Sequence, residues 1–198
     1  MPPPLRDTEA LRERVRAEWG GRHDLWVFGY ASLIWRPEFE SAEHRPALVH
    51  GWHRAFRMRS RVNRGTPESP GLVYALMPGG MCRGMVYRIP RERADAELDR
   101  LWLREMPTGV YDPRWLPCQT GAGLVRGLGF TLSRRSPAFT GPLDDATLLQ
   151  ILRRAHGRYG STLDYLVQTA EALHQHRMCD RESARLLRLA RHLKAGGG

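Results

Sequence analysis

Lysine is almost missing from this 198-residue chain: all but one of its 31 basic side chains are arginine, and the exception, Lys194, stands beside the C-terminal glycine run. That excludes a Gly-Lys-Ser/Thr phosphate loop, and it leaves no internal lysine for a Schiff base or a pyridoxal phosphate site. Cysteine is also scarce. Cys82, Cys118 and Cys179 are odd in number, far apart and free of any Cys-x-x-Cys pair, so they form no disulfide framework and fit a reducing cytoplasm. The histidines do not cluster as ligands. His50 and His53 fall on opposite faces of a strand, and His174 and His176 are separated on a helix, so no metal site is expected. No run is long and apolar enough to cross a membrane, and the start, Met-Pro-Pro-Pro-Leu-Arg, lacks the apolar core of a signal peptide. Gly121-Ala122-Gly123 reads as a hairpin tip between two strands and opens no helix, so it is not a dinucleotide fingerprint. The expectation is a cytoplasmic protein without cofactor, metal or membrane partner, a monomer or weak dimer.

What the chain has in excess is positive charge, a net +10 with a pI near 10.5. The arginines are scattered, however, and interleaved with acids in Arg91–Arg104 and Arg177–Arg191, as on solvated helix faces. Nucleic acid is therefore not expected as a partner. A mild attraction for small anionic substrates is.

The length suits one domain with a full core. A tail and an amphipathic helix over Thr8–Trp19 occupy residues 1–24, and residues 25–198 read as a single domain. Its strands are expected at Leu25–Tyr30, Ala47–Val49, Trp52–Ser60, Gly71–Met77 and Cys82–Arg88. A helix over Glu92–Met106 follows, then strands near Trp115–Gln119 and Leu124–Leu132, then helices over Leu143–His156, Thr162–His176 and Asp180–Lys194. Arg61–Pro70, rich in Gly, Pro, Ser and Thr, reads as a mobile loop. A β-rich first part with one helix, ahead of an all-helical tail, gives an α+β class with a mostly antiparallel sheet.

Two segments invite chemistry. The apolar run Leu25–Phe28 is a buried strand that breaks at Gly29 into Tyr30-Ala31-Ser32-Leu33, a turn of small residues. Such an exit is either a plain structural turn or a cradle of backbone N–H groups for a carboxylate or a polarised carbonyl. The sequence there does not match the Gly-x-Ser-x-Gly nucleophile elbow, so Ser32 reads as a hydrogen-bond donor rather than a nucleophile. In the second segment Leu98, Leu101 and Trp102 mark the buried stripe of a helix, and Glu105 continues it at i+7. A carboxylate on an apolar stripe is either salt-bridged to an arginine or functional, since burying it unpaired costs several kcal/mol. At the helix C-terminus, just before Pro107, both the helix dipole and desolvation raise its pKa towards the range useful to a general base.

Taken together, Phe28-Gly-Tyr-Ala-Ser-Leu-Ile-Trp-Arg-Pro37, Arg64-Gly-Thr-Pro-Glu-Ser-Pro-Gly71 and Leu101-Trp-Leu-Arg-Glu-Met-Pro-Thr-Gly-Val-Tyr111 resemble the ChaC-type γ-glutamylcyclotransferases, in order and in spacing. The resemblance implies a small mixed β-barrel with flanking helices, a helical C-terminal part and a site at the barrel mouth. It also implies cleavage of glutathione to 5-oxoproline and cysteinylglycine, with the strand-exit turn (Phe28, Gly29, Tyr30, Ala31, Ser32, Leu33) binding the γ-glutamyl part and Glu105 as acid/base.

That chemistry suits so sparse a site. The α-amine of a γ-glutamyl peptide attacks its own γ-carbonyl, so the nucleophile belongs to the substrate. The protein supplies proximity, a base and oxyanion donors. Arg64 is a candidate partner for the glycine carboxylate of glutathione, and Tyr111 for the substrate or for orienting Glu105, with a surface role and core packing as the respective alternatives. Ala31 departs from the family, which usually has glycine there; its methyl disfavours positive φ and intrudes on the cradle. Two other readings follow from that departure: another γ-glutamyl amine or amino acid as donor, or a non-catalytic binding domain on the same fold.

Overall fold

The structure is a computed structural model and describes residues 6–195. The proline-rich start and the Gly196–Gly198 run lie outside the described residues. Seven strands and six helices follow in the order α1 (Thr8–Trp19), β1 (Leu25–Gly29), α2 (Ser32–Trp35), β2 (Glu43–Ser60), β3 (Gly71–Ile89), α3 (Arg91–Glu105), β4 (Asp112–Thr120), β5 (Gly123–Thr131), α4 (Asp145–Arg154), β6 (His156–Gly157), β7 (Gly160–Ser161), α5 (Thr162–Gln175) and α6 (Arg181–Ala195).

The first five strands close into a mixed barrel in the order β1-β3-β2-β4-β5, as the motif resemblance implied. β1 pairs antiparallel with β3 from Leu25↔Ile89 to Gly29↔Met85, and parallel with β5 at Trp26↔Gly127 and Val27↔Leu128. β4 and β5 form an antiparallel hairpin from Asp112↔Thr131 to Thr120↔Gly123. Because β1 has neighbours on both sides and both its faces are covered, its sequence is continuously apolar rather than alternating.

The chain divides into two compact units. The first comprises residues 1–53 and 76–136. In it α1 starts on Asp7, whose carboxylate caps the Ala10 N–H, and ends on Gly20 at φ 75. This helix docks on α3. Arg12 and Arg16 both reach Asp99, at 3.0 and 2.7 Å, and Trp102 Nε1 donates to the Thr8 carbonyl at 3.0 Å.

The second unit comprises residues 54–75 and 137–198. Phe56, Tyr74 and Tyr165 form its aromatic core, with ring centroids 4.9–6.4 Å apart. α6 docks through a buried polar network. Arg54, its side chain only 4% exposed, pairs with Asp180 at 2.7 Å, Tyr74 and Ser183 share a 2.6 Å hydrogen bond, and Glu182 accepts the Phe56 N–H at 3.1 Å.

Several boundaries differ from those the sequence suggested. β2 and β3 are each one long strand where two short ones were expected. Gly51 lies within β2 at φ 79, and Gly79 and Gly80 lie within β3 at φ 103 and 73, so these glycines bend continuous strands instead of ending them. The helix expected to reach His156 stops at Arg154, and His156 opens a two-residue hairpin. The 61–70 connection, expected to be mobile, is pinned within the second unit: Arg158 and Tyr159 donate their N–H groups to the carbonyls of Val62 and Asn63. Gly65 and Gly71 are needed there, since a Cβ on Gly65 would stand 2.0 Å from the Gly71 nitrogen.

Candidate functional site

The strand exit is set by a close contact. A Cβ on Gly29 would lie 2.8 Å from Leu33 Cβ and 3.2 Å from the Tyr87 ring, so only glycine lets the chain fold back over itself at this point. Tyr30 and Ala31 make the turn, and Ser32 starts α2, a single helical turn that sequence periodicity did not reveal. Ala31 sits at its N-cap with φ −146 and makes no side-chain cap. Its backbone is therefore not in the left-handed region that favours glycine. The Ile34 N–H bonds the Ala31 carbonyl at 2.9 Å and the Arg36 N–H the Ser32 carbonyl at 2.8 Å, which closes the single turn of α2.

Side chains around the turn hold it rigid. Tyr87, opposite Val27 on β3, donates its hydroxyl to the Leu33 carbonyl at 2.8 Å. Burial pushes that phenol up to about 12, so it stays a neutral donor at ordinary pH. The Tyr30 hydroxyl donates to the Phe130 carbonyl at 3.1 Å, while Tyr111 and Trp102 pack edge-on against the Phe130 ring. Phe28 is fully buried inside the barrel wall, against Gly84, where an added Cβ would come within 2.8 Å of its ring. Of the expected turn residues only Ser32 is half-buried; the rest are buried.

Glu105 is the last residue of α3, and its side chain keeps 14% of its exposure. Oε1 accepts from Arg104 Nε at 3.0 Å; Oε2 makes no hydrogen bond to the described residues. Desolvation raises its pKa above the usual carboxylate value, the Arg104 cation opposes this, and the Glu38 charge adds to the rise. Arg104 also reaches away from α3. Its Nη1 bonds Glu38 Oε2 at 3.1 Å and the Arg36 carbonyl, and Arg36 pairs with Glu38 at 2.5 Å. The segment that leaves the turn is thus tied to the end of α3 beside Glu105, and the turn, Glu105 and Tyr111 belong to the same unit.

Arg64 belongs to the second unit. It is buried there, with Nη1 3.4 Å from the Ser161 carbonyl and its guanidinium 5.3 Å above the Tyr165 ring, while its own carbonyl accepts the Thr162 hydroxyl. A role for it in binding a substrate carboxylate rests on the motif alone. Sequence reasoning passed over Tyr87, Glu38 and Arg104. Arg104 was marked only as a position of the Leu101–Tyr111 motif, with no role read for it, and Tyr87 and Glu38 lie in stretches with no pattern that marks them.

The three cysteines are free thiols, and burial pushes Cys118 up to about 12, which makes it a poor nucleophile. Among the described residues no group of three His, Cys, Asp or Glu side chains is placed to hold a metal ion, and no helix is long and apolar enough to cross a membrane.

The family model described as "ChaC-like protein" matches residues 25–195, and the chain belongs to that family. It is 36% identical over 150 residues to the glutathione-specific gamma-glutamylcyclotransferase of Escherichia coli K12, an alignment covering 75% of this chain and 65% of that protein. To the enzyme of the same name from Schizosaccharomyces pombe it is 33% identical over 170 residues, covering 75% of this chain and 82% of that one. The crystal structure of the yeast glutathione-specific gamma-glutamyl cyclotransferase superposes with a TM-score of 0.77 at 24% identity, over 86% of this chain and 97% of the other, which establishes the shared fold.

Proposed function

We propose that this protein is a γ-glutamylcyclotransferase that cleaves glutathione to 5-oxoproline and cysteinylglycine. The observation that carries the reading is the Glu105 carboxyl, enclosed at the end of α3, raised in pKa by desolvation, and with one oxygen uncommitted. The names of the relatives from Escherichia coli and Schizosaccharomyces pombe supply the substrate.

In this reading Glu105 takes a proton from the substrate α-ammonium. The freed amine attacks the γ-carbonyl carbon, a new C–N bond closes the five-membered lactam, and the bond to the cysteinyl nitrogen breaks. Glu105 returns that proton to the departing nitrogen, and the second proton, which the ring nitrogen sheds on becoming the lactam N–H, passes through the same carboxylate to the released amine, leaving it an ammonium; protons then balance and nothing is oxidised or reduced. The developing oxyanion is stabilised by backbone N–H groups of the strand-exit turn, Tyr30 to Leu33. Fixing amine and carbonyl within a turn made rigid by Tyr87 and Tyr30 addresses the largest cost, since proximity can supply roughly 7–11 kcal/mol of barrier reduction. Tyr111 shapes the same region through Phe130.

A cytoplasmic setting accords with three cysteines outside any disulfide, and the protein acts there as a monomer or weak dimer. Incubation of the purified protein with glutathione and with γ-glutamyl dipeptides, followed by chromatography of 5-oxoproline, tests the assignment. Release from glutathione in preference to the dipeptides supports it. Release only from another γ-glutamyl donor would move the specificity, and no release from any would remove the activity.

A further inference from the structure

A carboxylate beside an arginine is usually a poor base, because a two-point fork pairs it tightly and holds it ionised. At Glu105 the fork is divided. Arg104 offers only Nε to Glu105 Oε1, at 3.0 Å, while Nη1 is drawn 3.1 Å from Glu38 Oε2 and onto the Arg36 carbonyl. Arg104 has little freedom to re-pair, since its side chain is only 16% exposed.

Glu38 is held for this contact. It adopts φ 58, a left-handed conformation uncommon for a residue with a side chain. Such a conformation persists where the surroundings over-determine it, and here Arg36 and Arg104 grip the carboxylate from two sides. Two residues on, Arg93 pairs with Glu40, so Glu38 and Glu40 are each tied to α3, with buried Phe39 between them.

We propose that Glu38 and Arg104 are positioning residues for Glu105: one guanidinium shared between two carboxylates orients the base at Oε1 and leaves Oε2 free to exchange a proton with substrate. This rests on the reading of Glu105 as the acid/base. The charged and titratable groups around the cluster are Arg36 and Glu38 on the segment after α2, Tyr87 on β3, and Arg104 and Glu105 on α3. The two positioning residues act on Glu105 with opposite sign. The Glu38 charge makes the Glu105 carboxyl harder to ionise, and the Arg104 cation makes it easier.

The test is a carbon-13 NMR titration of carboxyl-labelled glutamate in the full chain, with the Glu105 signal assigned by its loss in Glu105→Gln, beside pH profiles of 5-oxoproline release. Glu38→Gln is expected to move the Glu105 midpoint to lower pH, by less at high salt because Glu38 is partly exposed. Arg104→Gln is expected to move it to higher pH and to lower kcat by about 10²-fold, the cost of an ångström-scale misplacement. Arg104→Lys should restore the midpoint better than kcat, because an ammonium supplies charge without the divided fork. Midpoints that stay fixed, or that move the same way in both variants, overturn the proposal even if activity falls. The NMR arm stands apart from turnover: expected shifts in a protein that releases no 5-oxoproline would retain the shared guanidinium and discard the activity.

Discussion

The Tyr87 hydroxyl donates to the Leu33 carbonyl at 2.8 Å, so a side chain of the barrel wall fixes the one-turn helix that follows the strand exit. Tyr87→Phe keeps the ring, and its edge-on packing with Phe39, but leaves a buried carbonyl without that donor. The expected cost is about 1–3 kcal/mol of stability, read as a lower Tm, with KM for glutathione raised more than kcat is lowered. An unchanged KM would separate the turn from the substrate.

Gly29 and Ala31 are two residues apart and differ in how much change they tolerate. Gly29→Ala places a methyl 2.8 Å from Leu33 Cβ, with no flexible chain end to yield, so it should cost about 1–3 kcal/mol and most of the activity. Ala31→Gly removes no left-handed conflict, because φ is −146. It should lose about 0.4–1 kcal/mol through added freedom of the unfolded chain, with glutathione turnover close to that of the parent. A marked gain in turnover would show that the Ala31 methyl crowds the substrate.

Acid should loosen α6 through Asp180. Despite burial, Arg54 holds its pKa below the usual carboxylate value, together with the Ser183 N–H and hydroxyl. A depressed folded pKa gives stability that is present above the unfolded value, about 3.9, and lost as pH falls through the folded one. Asp180→Asn leaves Arg54 buried without its partner charge and should cost about 3–5 kcal/mol at neutral pH, with the deficit shrinking on acidification. Glu182 has the opposite sign. Desolvation raises its pKa, so its contribution is present below the unfolded value and lost as pH rises through the folded one. Glu182→Gln should leave Tm equal or higher at pH 7. Urea melts of both variants at pH 7 and again well below about pH 3.9 check the two signs.

Much of this was legible in the chain itself. The apolar run at Leu25–Phe28, the 3.6-residue stripe through Leu98, Leu101 and Trp102, and the amphipathic pattern over Thr8–Trp19 are local patterns, and the elements they mark formed where expected. Glycine misled where it serves a bend. Gly51, Gly79 and Gly80 read as breaks, yet a closed barrel uses them to curve continuous strands, and closure is a long-range property with no local period. The barrel itself came from the motif resemblance. The Arg64–Gly71 loop looked flexible because its composition is that of a turn, whereas its glycines serve backbone-to-backbone contact. Glu105 stood out as a charge in an apolar stripe. Glu38 and Tyr87 did not, because their importance depends on partners 66 and 54 positions away.

Glu105→Gln tests the central claim most directly, with turnover and Tm measured on one preparation. The substitution keeps size and an acceptor for Arg104 Nε but removes the base. 5-Oxoproline release should therefore fall about 10²–10⁴-fold, while Tm stays unchanged or rises as a desolvated carboxyl is relieved. A well-folded Gln variant that releases 5-oxoproline at close to the parent rate would contradict the account.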